Sequence, residues 1–156
     1  MTPLTGPLPD RSSRTITEVS AQAPGRAEVR AALAQFHYLG YRTPVGENLQ
    51  YVVRDAAQSL LAVLVFGAAA WKCAARDRWI GWLPGQRQAR LGWIANHQRF
   101  LIMPWVDVRY LASHVLGRVA RRIAADWQTK YGHPVVLLET FVERQRFSGT
   151  CYRAAN

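Results

Sequence analysis

Between residues 108 and 131 the apolar positions Leu111, Val115, Val119, Ile123 and Trp127 recur every fourth residue, while Arg118, Arg121 and Arg122 fall on the other side. That stripe predicts a long amphipathic helix over 108–131, with Gly132 placed to end it. A shorter stripe of Val29, Leu33, Phe36 and Leu39 predicts a helix after Pro24 and Gly25 that stops at Gly40. The runs 49–54 and 60–66 are β-prone or continuously apolar, and the polar stretch 55–59 between them makes a hairpin the simplest arrangement. Residues 85–95 follow the Leu83-Pro84-Gly85 break and read as a short helix. A strand over 99–103 stops at Pro104, a buried strand covers 135–142, and a last helical segment follows Phe147. Stretch 68–76 fits either an extension of the second hairpin strand or the start of a helix.

Strand 99–103, the long helix and strand 135–142 form a βαβ unit, whose strands are normally parallel. A hairpin feeding such a unit gives an α/β fold with a mixed sheet covered by helices. The first 24 residues carry Pro3, Pro7, Pro9 and Pro24 with Gly6, Ser12 and Ser13 and show no periodicity. A flexible, irregular leader over 1–24 is therefore expected before a single domain over 25–156.

The length of 156 residues suffices for one hydrophobic core, and a chain 49% hydrophobic and 19% charged is globular rather than disordered. Cys73 and Cys151 match neither a metal-ligand spacing nor a disulfide framework. No apolar run has the length of a membrane span and the N-terminus lacks a secretory signal, so cytoplasmic residence without a membrane partner is expected. Charge changes the picture more. The net charge is +10, and every basic residue except Lys72 and Lys130 is arginine. Either a polyanionic partner such as nucleic acid or a GC-rich genome accounts for this bias.

Between Trp71 and Phe100, Lys72, Arg76, Arg78, Arg87, Arg90 and Arg99 alternate with Trp71, Trp79, Trp82 and Trp93 against the single acid Asp77. Such a stretch either contacts phosphate and stacks on bases, or holds its tryptophans in the core beneath a solvated basic face. The candidate nucleic-acid-binding set is Lys72, Arg76, Arg87, Arg90 and Arg99, with Arg118, Arg121 and Arg122 on the long helix. Glu139 lies within the most apolar strand, where a carboxylate either pairs with an arginine, Arg76 or Arg99, or does chemistry. His37, His97, His114 and His133 are scattered and form no metal set, no phosphate loop is present, and no cofactor is expected.

Several ordered blocks go further: Phe36-His37-Tyr38-Leu39-Gly40-Tyr41, Gly46-Glu47-Asn48-Leu49-Gln50-Tyr51, Arg76-Asp77-Arg78-Trp79-Ile80-Gly81-Trp82, Asn96-His97-Gln98-Arg99-Phe100, Leu138-Glu139-Thr140-Phe141 and Gly149-Thr150-Cys151-Tyr152-Arg153. Over residues 36–156 the chain resembles the DruA-like family, named for the Druantia anti-phage system and also met beside transposase genes. The resemblance implies a DNA-associated protein of phage defence or mobile elements, with other defence or transposase subunits as partners. It also implies that family members continue past Asn156. The strand order is similar to that of acetyltransferases of the GNAT type, which would place coenzyme A at Arg109 and a general acid at Tyr152, with Glu139 as base. The loop departs from that family's signature, since Ala112 and His114 replace its two small positions. Acyl transfer and a non-catalytic role in a larger complex are the alternatives to DNA association.

Overall fold

The computed structural model describes residues 4–6 and 14–155. Its main sheet is built around the expected hairpin, β3 (Asn48–Arg54) and β4 (Leu60–Ala68), which pair antiparallel. Alternate β3 side chains serve two cores. Leu49, Tyr51 and Val53 face the long helix α4 (Leu111–Tyr131), whereas Val52 faces α1 (Ala23–Phe36). Both faces are covered, which is why these strands read as unbroken apolar runs.

β5 (Ile94–Ile102) pairs antiparallel with β4, and β7 (Leu137–Thr140) pairs parallel with β5 after the α4 crossover. The result is a mixed sheet of five strands, mostly antiparallel, containing both the hairpin and the βαβ unit. On α4, Leu111, Val115, Val119, Ile123 and Trp127 are all buried. Gly132 ends the helix at φ 74°, a left-handed turn in which its N–H donates to the Gln128 carbonyl.

Several boundaries differ from the pattern reading. Residues 85–95 divide into α3 (Pro84–Arg90), a 3-10 turn at Leu91–Trp93 and the start of β5 at Ile94. The short stretch Ile94-Ala95 is apolar in either period, and pairing with β4 and β7 decides it as strand. In the open stretch 68–76, β4 ends at Ala68 and the helix α2 (Ala74–Ile80) begins at Ala74.

The leader is not irregular throughout. Thr15–Glu18 is β2, an edge strand antiparallel to β3. Its β-branched Thr15, Ile16 and Thr17 suit a strand, and the free edge of β3 supplies its hydrogen bonds. Leu4–Gly6, β1, pairs parallel with β6 (Val106–Val108). The other leader residues before Arg14 lie outside the described residues. A short helix α5 (Thr150–Ala155) packs on α4. No helix among the described residues is long and apolar enough to cross a membrane.

Candidate functional site

The parallel strands stay together only from Ile94↔Leu137 to His97↔Thr140. Beyond this point β5 runs on to Ile102 while the chain after β7 turns away. At the same place the β4–β5 register shifts, leaving Gln98 as an extra residue between His97 and Arg99. The Gln98 side chain lies over Gly67, where an added Cβ would come within 2.3 Å of its Nε2 and make the Gln98 amide shift.

Divergence opens a cleft of about 490 Å³ lined by Phe36, Tyr38, Phe100, Phe147, Thr140 and Tyr152 among others. His97 sits at its base, buried and stacked on Phe66 with ring centroids 4.2 Å apart. The Tyr152 hydroxyl lies 3.1 Å from His97 Nδ1, and the Thr140 hydroxyl donates to the His97 carbonyl at 3.2 Å. Burial pushes the His97 imidazole down to about 3, keeping it neutral. Burial likewise raises the Tyr152 phenol and the Cys151 thiol, so neither ionises readily. The groups around His97 are neutral hydrogen-bonding partners in an apolar wall, and Glu143 also lines the cleft.

Glu139 is elsewhere. Successive strand residues point to opposite faces. Leu138 joins the core beneath α4, as does Tyr152, while the Glu139 carboxylate accepts hydrogen bonds from Arg76 Nη1 at 3.0 and 3.2 Å and from the Ala70 N–H at 3.2 Å. The sheet thus separates Glu139 from Tyr152, and the two do not form an acid–base pair. Arg109 is also outside the cleft: it is exposed and its guanidinium lies 4.8 Å from the Tyr110 ring, although Ala112 in the first turn of α4 lines the cleft wall.

The basic candidates divide in two. Arg76 is 7% exposed and bound to Glu139, Asp77 and the Ala70 carbonyl, so it is a buried ion-pair partner rather than a phosphate contact. Arg122 binds Asp126 and the Ile16 carbonyl, Arg118 the Arg14 carbonyl, and Arg99 the carbonyls of Gly40 and Gln98. Arg87 is held by Asp77 at 3.2 Å. Lys72, Arg90 and Arg121 are exposed. Arg121 belongs to α4, on the face of the sheet opposite α2, so the set does not form one surface.

Its aromatic part is exposed. Trp79 is 77% accessible, Trp71 56% and Trp93 39%. Only Trp82 is tethered inward, its indole N–H donating to Asp77 at 3.0 Å. Arg87 lies 5.9 Å from the Trp71 ring and Arg90 5.8 Å from Trp93. Trp71, Trp79 and Trp93 are thus exposed in a segment that also exposes Lys72, Arg78 and Arg90.

Neither His97 nor the cleft stood out in the sequence; the only local signal was a histidine between polar residues in a strand that ran longer than its pattern showed. His133, another scattered histidine, contacts Glu47 at 2.7 Å and serves the end of α4. Among the described residues, no group of His, Cys, Asp and Glu side chains gathers to hold a metal.

Compared with known families, the chain matches one described as Druantia protein DruA over residues 1–156. No curated protein and no solved structure matches it.

Proposed function

The chain belongs to the DruA family of Druantia anti-phage defence components, and from that membership we propose that it acts as a nucleic-acid-binding subunit through the surface of α2 and α3. One observation carries the reading: Trp71, Trp79 and Trp93 are exposed among Lys72, Arg78 and Arg90. Exposing such rings to water is unfavourable unless a partner covers them, and the flanking cations suit a phosphate chain. The reading favours unpaired strands, because a base offers its face only when unstacked from a duplex.

Titration of labelled single-stranded and duplex DNA at several salt concentrations tests this. Single strands should bind more tightly, and log affinity should fall against log salt by about 0.7 per phosphate contacted. Trp79→Ala should weaken binding by roughly 1–3 kcal/mol, the usual worth of a stacked base. Absence of salt-dependent binding to either form would instead favour a protein partner for the tryptophans.

Acyl transfer is a second reading, favoured by the divergence of β5 and β7 and by Tyr152 in the opening. With Glu139 on the other face, Tyr152 would act there without it. Thermal stabilisation by acetyl-coenzyme A that Tyr152→Phe retains, with acyl transfer lost in that variant, is the expected result for this reading; no stabilisation removes it.

A further inference from the structure

We infer that the gap between β5 and β7 is a nucleotide site, taking one base of a single strand on its aromatic side and an adjoining phosphate at Arg42 and Arg99. The inference builds on the nucleic-acid reading, yet a free mononucleotide tests it separately.

A second hollow of about 400 Å³ adjoins the aromatic cleft, sharing Leu39, His97, Gln98 and Phe141 in its lining. Both hollows are of the size that small ligands occupy, roughly 300–1,000 Å³. Their linings differ. On the first side stand the rings of Tyr38, Phe100 and Phe147 with the neutral hydroxyls of Thr140 and Tyr152. On the second stand Arg42 and Arg99. Arg42 is exposed, Arg99 donates only to carbonyls, and neither has a carboxylate partner among the described residues.

Between the two hollows the His97 ring is buried, with its Nδ1 already meeting the Tyr152 hydroxyl. A purely apolar ligand leaves the hydroxyls and both cations unused. A nucleotide uses each part: its ring faces stack on the aromatic wall, its edge meets neutral hydrogen-bonding groups, and its phosphate meets two guanidinium groups.

Calorimetric titration with dAMP, deoxyadenosine and acetyl-coenzyme A decides the matter, using the whole chain. The chain should bind dAMP more tightly than deoxyadenosine. Phe147→Ala, at an exposed ring, should weaken dAMP at least about fivefold while leaving the circular dichroism unchanged. Arg42→Ala should bring dAMP down towards deoxyadenosine and leave deoxyadenosine unaffected. The losses in Phe147→Ala and Arg42→Ala should be the same in a Trp79→Ala background, which separates failure of this site from failure of the α2–α3 surface. Absence of dAMP binding, binding unchanged in both Phe147→Ala and Arg42→Ala, or binding of acetyl-coenzyme A alone overturns the inference.

Discussion

His97 shows how far one side chain's surroundings alter its chemistry. In an unfolded chain it titrates near its ordinary value of about 6.5, whereas burial against Phe66 holds the folded value at about 3. Between these values the unfolded chain takes up a proton that the folded chain refuses. Stability from this group is therefore complete above about 6.5 and declines as pH falls towards 3. His97→Gln should flatten the acid limb of the stability curve by about one proton's worth, ~1.4 kcal/mol per pH unit. Urea unfolding at a series of pH values between 7 and 4 measures it, and an unchanged slope would mean that His97 is solvated.

At the scale of elements, the main question is what holds the short helix α2 to the edge strand β7. The Arg76–Glu139 pair does so, with side chains only 5% and 10% exposed. Removing one partner leaves a buried charge without its counterion, so Arg76→Met should cost about 3–5 kcal/mol. Replacing both by apolar residues should recover much of that loss, because desolvation no longer opposes folding. Denaturant midpoints of Arg76→Met, Glu139→Leu and the double variant give the comparison. Additive losses would show that the two side chains act separately. The same pair explains why Glu139 tolerates so apolar a strand: only β7's outward face, beneath α2, receives it.

For the whole molecule, the sheet is a partition. α4 lies against the face bearing Leu49, Tyr51 and Val53, and Arg121 projects from it into solvent. α2 and its tryptophans lie on the side towards which Glu139 points. A strand of nucleic acid held by Trp79 and Arg90 would therefore not reach Arg121. Arg121→Ala should leave DNA affinity within about twofold of the original chain, whereas Arg90→Ala should lower both affinity and salt slope by about one phosphate contact. Anisotropy titrations compare them directly, and equal losses would require a surface that wraps both faces.

The apolar pattern along the chain was enough to locate α4, by its stripe, and the β3–β4 hairpin and the strand–helix–strand order that follows, by their apolar runs and the breaks between them. The ordered blocks from Phe36 onwards were likewise enough to indicate the family. Local pattern did not reveal β2, since its strand state depends on the free edge of β3, nor the start of β5, since Ile94-Ala95 is apolar at either period. The fate of each arginine was also beyond it. Arg76 and Arg90 are alike in sequence, yet one meets Glu139 across the fold and the other meets water. The cleft is the fullest case, because it exists only where β5 and β7 part, and residues from Phe36 to Tyr152 meet there through folding alone.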